Sequence, residues 1–474
     1  MEAGKTARVV IVGGGIAGLA AAHRLIERAS GGGSRLEITV LDSASRPGGV
    51  IETRTEMGCL LETGPDAFIT QKPAALELVK RLGLEGELVN TNSEKRVTMI
   101  VSRGRIHPLP EGFMMLAPSR VRPFLVSPII SPAGKLGMAQ EFFLPPAQEV
   151  DDESLADFVR RRLGSEALAR IAQPMVSGIY TADPERLSLR ATMPRFLDME
   201  REGGILRTLL RTRRNADASA GARYSMFVTP RGGLGQLIDR LVGELPDRTV
   251  RTGTTISRLD RGQQKEGRFR LQAANQQSFE ADAVILAVPA HQAAGLVSDL
   301  DLNLSSLLGS IRFASSAVLN LIYSKESIKS GLDGFGFVVP AVENLSMLAC
   351  TFSSIKFPHR APAELIALRV FLGGELQGEL LDLTDSEIER RVALDLHRLL
   401  DISARPLFGQ TTRHMNAMPQ YDVGHLDLVG KIMHRLENQP GLEVAGNSYY
   451  GIGIPDCVAS GESAADRIYS YLSG

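Results

Sequence analysis

A glycine-rich turn near the start of the chain constrains the fold more than any other feature. The apolar residues 9–12 lead directly into Gly13, Gly15 and Gly18, and a run of small residues follows. A G-x-G-x-x-G turn between a buried strand and a helix is typical of a dinucleotide-binding βαβ unit. Gly13 permits the tight turn, Gly15 lets a pyrophosphate approach the backbone, and Gly18 lets the helix pack closely on the strand.

The following residues continue this unit. We expect a helix over residues 18–29 and a second strand over residues 36–42, which ends in the carboxylate of Asp42. An acidic residue at about this distance after the turn accepts hydrogen bonds from the hydroxyls of a ribose. The sequence therefore predicts a dinucleotide site that contains Gly13, Gly14, Gly15, Ile16, Ala17, Gly18 and Asp42.

The composition is that of an ordinary soluble globular chain. With 474 residues it is long enough for two or three domains, and its net charge of -1 gives no electrostatic footprint for nucleic acid. Three widely spaced cysteines favour a reducing compartment, so we expect a cytoplasmic protein. The eight histidines show no ligand spacing, and no apolar window is long enough to span a bilayer. We therefore expect neither a metal site nor a transmembrane helix.

Hydrophobic periodicity divides the chain into three parts. Residues 1–90, 223–296 and 438–474 are predicted to form one discontinuous nucleotide domain, residues 91–107 and 297–437 a mixed-sheet domain, and residues 108–222 a helical domain. Further strands are predicted at residues 249–259, 269–273, 283–288, 316–323, 336–339, 347–351, 365–372 and 441–447. Further helices are predicted at residues 151–163, 166–175, 236–245, 385–400 and 458–472, and a polar surface loop at residues 211–221.

One segment of the predicted helical domain has more than one interpretation. Residues 110–146 mix short apolar patches with prolines and with the basic residues Arg120, Arg122 and Lys135. Such a segment can dock on a bilayer surface, line a substrate tunnel or form a helical hairpin in the core. The pattern alone does not separate these alternatives.

Two short segments resemble the flavin amine oxidase superfamily. Arg46-Pro47-Gly48-Gly49 resembles the Arg-x-Gly-Gly element that follows the ribose carboxylate in that superfamily, and residues 445–451 resemble its flavin-capping strand and loop. A lone glycine fingerprint suits NAD or FAD, whereas these two additions favour FAD.

Longer motifs resemble the oxygen-dependent protoporphyrinogen/coproporphyrinogen oxidase family, and more closely its Gram-positive coproporphyrinogen III type. They are residues 61–68, 178–188, 334–340, 418–425 and 451–457. The resemblance implies an α/β fold (α+β when all parts are counted), with a Rossmann-type FAD domain of the p-hydroxybenzoate hydroxylase type, a substrate domain and a helical domain. It implies six-electron oxidation of a porphyrinogen by O2 in haem biosynthesis, with release of hydrogen peroxide.

The resemblance also implies roles for individual residues. Besides the glycine turn and Asp42, the residues expected at FAD are Ser43, Arg46, Gly49, Val50, Gly64, Pro65, Asp66, Ala67, Ile256, Asn447, Ile452, Gly453 and Ile454. Those expected at the macrocycle are Gly178, Phe335, Val338 and Phe371. No general base can be assigned.

The sequence departs from this family at two positions. Several members carry an arginine for a substrate propionate where this chain has Thr98. If this stretch is a strand, Arg96 lies on the same face as Thr98, because side chains alternate with period two. We expect Arg96 to replace the missing arginine in part, or other groups to bind the side arms. His414 stands where relatives often place an aromatic residue near the flavin, which leaves a flavin contact there in question.

Other functions also fit the fingerprint. A flavin amine or polyamine oxidase would need an aromatic cage around the amine, and this chain has no Trp and only 5% aromatic residues. A carotenoid desaturase and a non-catalytic flavin-binding scaffold are further alternatives. For an oxidase, the resemblance is compatible with peripheral membrane contact on the inner face of the cell membrane, with a homodimer, and with product hand-over to a ferrochelatase-type enzyme.

Overall fold

The computed structural model describes residues 6–32, 35–110, 113–114, 116–118, 120–146, 151–216, 226–262, 269–329 and 332–474. The strands are β1 (Ala7–Val12), β2 (Leu36–Leu41), β3 (Thr53–Glu56), β4 (Cys59–Glu62), β5 (Phe68–Ile69), β6 (Leu88–Asn90), β7 (Thr98–Ser102), β8 (Arg105–Pro108), β9 (Phe113–Met114), β10 (Ala117–Pro118), β11 (Phe227–Pro230), β12 (Val250–Arg251), β13 (Ile256–Arg261), β14 (Phe269–Ala273), β15 (Ser278–Ala281), β16 (Ala283–Leu286), β17 (Phe313–Ser324), β18 (Gly336–Val338), β19 (Ala349–Phe352), β20 (Leu365–Gly373), β21 (Phe408–Pro419) and β22 (Leu442–Val444).

The α-helices connect and cover these strands. They are α1 (Ile16–Gly32), α2 (Pro73–Arg81), α3 (Val121–Val126), α4 (Pro132–Ala139), α5 (Leu155–Leu163), α6 (Ser165–Ala167), α7 (Gln173–Tyr180), α8 (Leu189–Thr192), α9 (Pro194–Arg201), α10 (Ile205–Ala216), α11 (Gly235–Glu244), α12 (Ala290–Val297), α13 (Leu302–Gly309), α14 (Ser353–Lys356), α15 (Asp385–Leu400), α16 (His425–Leu436) and α17 (Ile454–Ser473). A π-helical turn spans Leu168–Ala172, and 3₁₀ turns span Glu85–Glu87, Gln140–Phe143, Lys325–Ser327, Ala341–Glu343, Pro358–Arg360 and Gly378–Asp382.

A five-stranded parallel sheet carries the glycine turn. Its order is β12-β2-β1-β16-β22, so it combines strands from the beginning, the middle and the end of the chain. Alternate side chains of the central strand β1 enter two different cores. Val9 and Ile11 pack with α1 and α17, whereas Val10 and Val12 pack with α12 and the antiparallel β13-β14-β15 sheet. Because both faces of β1 are covered, its residues 9–12 form an unbroken apolar run.

A seven-stranded mixed sheet forms the second layer. Its order is β21-β17-β20-β19-β18-β7-β8, and α15 covers one face. The Thr384 side chain caps α15 by accepting a hydrogen bond from the Glu387 amide, and Ile388, Val392 and Leu396 bury one stripe of the helix. The prediction of a helix at residues 385–400 is confirmed at both ends.

The helical part of the chain has its own core and its own buried ion pair. The Arg162 guanidinium contacts the Glu141 carboxylate, and both side chains are fully buried. Glu141 also accepts hydrogen bonds from the Ile205 and Leu206 amides at 2.8 and 3.2 Å, which satisfies the N-terminal N–H groups of α10. A carboxylate at this position is further stabilised by the helix dipole.

Two secondary-structure predictions are wrong. Residues 211–216 belong to α10 instead of a surface loop, because Ile205, Leu206 and Leu209 bury one face of that helix; residues 217–221 lie outside the described part of the chain. Residues 249–259 form two strands, β12 and β13, because the chain turns at Gly253, where φ is +65°. This turn brings residues 254–256 to the edge of the parallel sheet.

The segment at residues 110–146 is partly a core element. Phe124, Ile129, Ile130 and Met138 are buried in the helical core, as the hairpin interpretation predicts. Other apolar side chains of the same segment remain exposed, Phe143 above all. Residues 111, 112, 115 and 119 are not described. Within the described residues, no helix is both long and apolar enough to cross a bilayer.

Candidate active site

A cavity of about 920 Å³ lies between the two large sheets. Sixteen of the twenty residues expected at the cofactor line it, namely Gly13, Gly15, Ile16, Ala17, Asp42, Ser43, Gly49, Val50, Gly64, Pro65, Ala67, Ile256, Asn447, Ile452, Gly453 and Ile454. Of the five residues expected at the substrate, Gly178 and Phe371 line it. The cavity therefore brings together residues from both ends and the middle of the chain.

The glycine turn leaves its backbone open toward the cavity. Gly13 has φ of +108°, and a Cβ there would lie 2.4 Å from the Ala287 carbonyl oxygen. A Cβ on Gly18 would lie 1.9 Å from the Gly13 carbonyl oxygen, so Gly18 permits close packing of helix on turn. A Cβ on Gly15 would meet no protein atom within 4 Å. Space for a ligand therefore exists at Gly15, next to the N-terminus of α1.

The Asp42 carboxylate is held in place by the backbone. Its Oδ2 accepts a hydrogen bond from the Gly14 amide at 2.6 Å, and its Oδ1 accepts one from the Ala44 amide at 2.7 Å. A carboxylate offers about four lone-pair sites, so two remain for hydroxyl donors in the cavity. Gly14 itself does not line the cavity and instead fixes this side chain.

Arg46 supports the cavity wall from behind. Its guanidinium donates to the Gly49 carbonyl at 2.9 Å and to the Ile51 carbonyl at 3.0 Å, and the Gly48 amide donates to the Gly14 carbonyl at 2.7 Å. These bonds fix the loop that carries Gly49 and Val50. Arg46 is absent from the described lining and holds this loop, and its predicted position along the cofactor stays a prediction.

A buried ion cluster stands behind the segment 64–67. It consists of Glu62, Asp66, Lys356, Arg360 and Arg369, and we refer to it below as the ion cluster. Lys356 Nζ lies 3.0 and 2.8 Å from the two Asp66 carboxylate oxygens, and Arg360 Nη2 lies 3.0 Å from Glu62 Oε1. Arg369 Nη1 lies 3.4 Å from Asp66 Oδ2. Asp66 therefore belongs to this cluster and is not among the described lining residues of the cavity. Gly18 is not among them either.

The ion cluster shifts the pKa values of its members. Burial opposes ionisation of Asp66, but the charges of Lys356, Arg369 and Arg360 outweigh burial and hold its pKa well below the usual range. For Glu62, burial outweighs the cations and raises the pKa. Burial also lowers the pKa of Lys356 and of Arg369. Asp66 is thus the firmly ionised carboxylate of the cluster.

The last segment of the chain completes the cofactor side. Asn447 lines the cavity, its amide donates to the Ala417 carbonyl at 3.2 Å, and its carbonyl accepts from the Tyr421 hydroxyl at 2.6 Å. α17 begins at the cavity with Ile454. Its 20 residues give a helix dipole whose positive end faces the cavity.

His414 lines the cavity, although the sequence left its contact with the cofactor in question. Its Nε2 lies 2.7 Å from the Thr63 carbonyl oxygen. A carbonyl oxygen only accepts, so in the neutral imidazole Nε2 carries the proton and Nδ1 carries the lone pair. The strand register places His414 opposite Ser316, which also lines the cavity.

The remaining wall is largely apolar. It combines the last turn of α7, including Gly178, with Phe371 and Val318 of neighbouring strands, which are paired in register. Val338 lies behind this wall: its Cγ1 is 3.6 Å from the position of a Cβ on Gly178. Neither Val338 nor Phe335 is among the described lining residues, and their direct contact with the macrocycle stays a prediction.

The strand face that Arg96 was expected to share with Thr98 is absent for a local reason, and its role in substrate binding stays a prediction. The strand begins only at Thr98, so the shared strand face with Arg96 does not form. Arg96 is exposed and lies outside the described lining. A different cation, Lys72, lines the cavity, half-exposed, with Nζ 2.6 Å from Asp456 Oδ1.

Sequence reasoning missed several other lining residues. Ala287, Val288 and Pro289 follow the buried strand β16, and the carboxyl ends of adjacent parallel strands meet at one edge, so this rule could have found them. Arg369 sits inside an apolar strand, and Lys72 stands just before the first residue of α2. No local pattern marks either residue as part of the cavity.

Comparisons with known proteins agree with this geometry. A family model described as flavin containing amine oxidoreductase matches residues 16–469. The chain is 34% identical over 468 residues to coproporphyrinogen III oxidase of Bacillus subtilis (strain 168), covering 98% of both chains. It is 28% identical to chloroplastic protoporphyrinogen oxidase 1 of Arabidopsis thaliana, covering 99% of this chain and 89% of that one.

A solved structure gives the same result. A crystal structure from Exiguobacterium sp. 255-15, assigned as a protoporphyrinogen oxidase, superimposes with a TM-score of 0.86 at 30% identity and covers 99% of both chains. The chain therefore belongs to the flavin-containing amine oxidoreductases and, within them, to the protoporphyrinogen/coproporphyrinogen oxidase family. Its cofactor is FAD. The open backbone at Gly15 and the two unused acceptor positions of Asp42 fit a pyrophosphate and a ribose.

Substitution of the second and third glycines of the turn, Gly15 and Gly18, is expected to cause different defects. Gly15→Ala places a methyl group in the ligand space and touches no protein atom, so we expect a stable fold and at least about tenfold weaker FAD binding, or about 1.4 kcal/mol. Gly18→Ala forces a clash within the protein, so we expect a lower Tm of the apoprotein. Titration of apoprotein with FAD and thermal unfolding separate the two effects. Equal loss of apoprotein stability in both variants would contradict this assignment.

Proposed function

We propose that this protein catalyses the FAD-dependent oxidation of a porphyrinogen to the porphyrin, a six-electron reaction that consumes O2 and releases hydrogen peroxide, in haem biosynthesis. The observation that carries this proposal is a single cavity whose cofactor residues continue into an apolar wall at Gly178, Val318 and Phe371. An uncharged, largely apolar macrocycle suits such a wall. The similarity to enzymes named coproporphyrinogen III oxidase and protoporphyrinogen oxidase supports the same reaction.

The chain's own residues would then divide the work of binding. The glycine turn would hold the pyrophosphate and Asp42 the ribose, while Asn447 and the N-terminus of α17 would lie against the flavin. Gly178 and Phe371 would position the macrocycle. FAD supplies the hydride acceptor and passes the electrons to O2. The amine oxidase alternative would need an aromatic cage around the amine, whereas this chain has no Trp and only 5% aromatic residues.

The choice of substrate can be measured directly. We propose coproporphyrinogen III, because the relative at 34% identity is named for it and the plant protoporphyrinogen oxidases compared are at 28% or below. Purified holoenzyme should oxidise coproporphyrinogen III with the higher kcat/KM in parallel fluorescence assays with protoporphyrinogen IX. A higher kcat/KM for protoporphyrinogen IX would reverse the choice, and bleaching of the flavin by polyamines alone would overturn the reaction class.

We further propose that His414 accepts the proton that leaves a pyrrole nitrogen during oxidation. The Thr63 carbonyl fixes the tautomer, so Nδ1 is the nitrogen that can accept a proton, and His414 lines the cavity. His414→Gln keeps an N–H donor for that carbonyl but removes the base. General-base catalysis contributes at least about a hundredfold, so we expect kcat to fall by that factor with little change in KM.

Two measurements complete the test of His414. The exposed His434 provides the control variant His434→Gln, which should retain kcat. Added imidazole should restore part of the activity of His414→Gln. If His414→Gln raises KM and leaves kcat unchanged, the residue positions the substrate and does not take the proton.

We also propose a peripheral contact with an anionic membrane through the segment 122–143. Val126, Leu136 and Phe143 are 78, 69 and 88% exposed. Cations stand beside them: Lys135 donates to the Leu125 carbonyl at 2.7 Å, and Arg207 donates to the Phe142 carbonyl at 2.9 Å. Apolar side chains next to cations favour an interfacial position on anionic lipid. Dimerisation and hand-over to a ferrochelatase-type enzyme stay predictions.

Vesicle sedimentation tests the membrane contact. The protein should sediment with phosphatidylglycerol vesicles and much less with phosphatidylcholine vesicles, and Phe143→Asp should weaken the binding severalfold. Leu302, which is 74% exposed on α13, provides the matched control Leu302→Asp. Equal binding of the two variants, or no binding of the unaltered protein, would contradict the contact.

A further inference from the structure

The ion cluster contains more positive charge than its structural role requires. Three cations, Lys356, Arg360 and Arg369, face two carboxylates, Glu62 and Asp66, so the formal net charge with all five groups ionised is +1. Glu62, Arg360 and Arg369 are at most 3% exposed. An uncompensated buried cation costs free energy, because water cannot solvate it. A surplus cation next to a cavity therefore indicates an occupant that supplies negative charge.

The position of the cluster points to one part of the cavity. Gly64, Pro65 and Ala67 line the cavity, Asp66 lies between them, and Arg369 both lines the cavity and donates a hydrogen bond to the Gly64 carbonyl. The phosphate-binding turn lies on the parallel sheet, whereas Arg369 belongs to β20 of the mixed sheet. Asp42 and Gly15 lie at the ribose and pyrophosphate end of the cavity, so the isoalloxazine ring, at the other end of FAD, is the part that would reach the mixed sheet and the surplus charge.

Reduction changes the charge of that ring. Hydride addition converts the neutral oxidised isoalloxazine into an anion: one hydrogen nucleus and two electrons are gained, and no proton is needed for balance. A positive charge held at low dielectric interacts more favourably with this anion than with the neutral ring. The effect grows as water is excluded, and the members of the ion cluster are largely or fully buried.

We propose that the ion cluster sets the reduction potential of the bound FAD, with its surplus positive charge stabilising the reduced ring. The cluster acts through electrostatics, so its members are positioning residues and need not touch the substrate. The proposal rests on FAD binding and not on the identity of the substrate. Its test therefore uses substrate-free holoenzyme and stands apart from the test of the porphyrinogen reaction.

Two variants break the same ion pair and change the charge in opposite directions. Lys356→Gln removes one positive charge, and Asp66→Asn removes one negative charge; each destroys the Lys356–Asp66 pair. We expect Asp66→Asn to favour the reduced flavin at least tenfold and Lys356→Gln to disfavour it by a similar factor. For a two-electron couple, tenfold corresponds to about 30 mV. The double variant should have a reduction potential close to that of the unaltered protein.

The reduction potential of the flavin is measured by equilibration with a reference dye. A second readout is the dissociation constant of sulfite, which is measured from the bleaching of the flavin. Sulfite also adds negative charge to the ring, so its affinity should follow the same order. The exposed Lys95–Asp333 pair supplies the control Lys95→Gln, which should shift neither quantity. Shifts of the same sign in Lys356→Gln and Asp66→Asn would show structural damage and overturn the proposal.

A second pair of variants tests the proposal if Lys356→Gln and Asp66→Asn do not bind FAD. Arg369→Lys keeps the charge and Arg369→Gln removes it at the same position. The proposal expects a lower potential and weaker sulfite binding in Arg369→Gln than in Arg369→Lys. If both variants keep the potential of the unaltered protein and change only KM for a porphyrinogen, the surplus cation binds a substrate carboxylate instead.

Discussion

Two buried carboxylates, Glu62 and Asp66, connect the halves of the molecule that enclose the cavity. Glu62 ends β4 and Asp66 follows it, whereas their cationic partners come from the end of α14, the following 3₁₀ turn and β20. The Asn320 side chain of β17 adds a hydrogen bond to the Glu62 carbonyl at 3.0 Å. Removing one partner of such a buried pair costs about 3–5 kcal/mol, so the two walls are held at a fixed separation.

The cofactor side depends on a different constraint, the order of the parallel strands. β1, β16 and β22 are neighbours, so their carboxyl ends meet at one edge. Gly13, Ala287 and Gly446 follow these three strands, and all three line the cavity. The first and last segments of the chain therefore build one site. Gly461 of α17, where a Cβ would lie 2.1 Å from the Ala17 carbonyl, lets the two terminal helices pack closely enough for this.

The sequence pattern predicted those elements whose structure depends on neighbouring residues in the chain. The run at residues 9–12, the helix at 385–400 and most of the cofactor lining follow from periodicity, glycine spacing and family motifs. Arg369 and His414 could not be placed in this way, because their positions depend on strand register across the mixed sheet, where they face Asn320 and Ser316. The prediction that Arg96 shares a strand face with Thr98 is wrong, because the strand starts only at Thr98, two residues after Arg96.

The two walls of the cavity are fixed by different forces, and this difference suits two kinds of occupant. The cofactor wall is made of backbone atoms held by hydrogen bonds, such as those of Asp42 and Arg46, which define positions to a fraction of an ångström. The substrate wall is apolar packing around Gly178, Val318 and Phe371, which excludes water without imposing directional contacts. Such a wall can accept a macrocycle in several rotational positions. In the proposed reaction, this tolerance would let hydrogen be removed from more than one bridge carbon while the flavin stays in place.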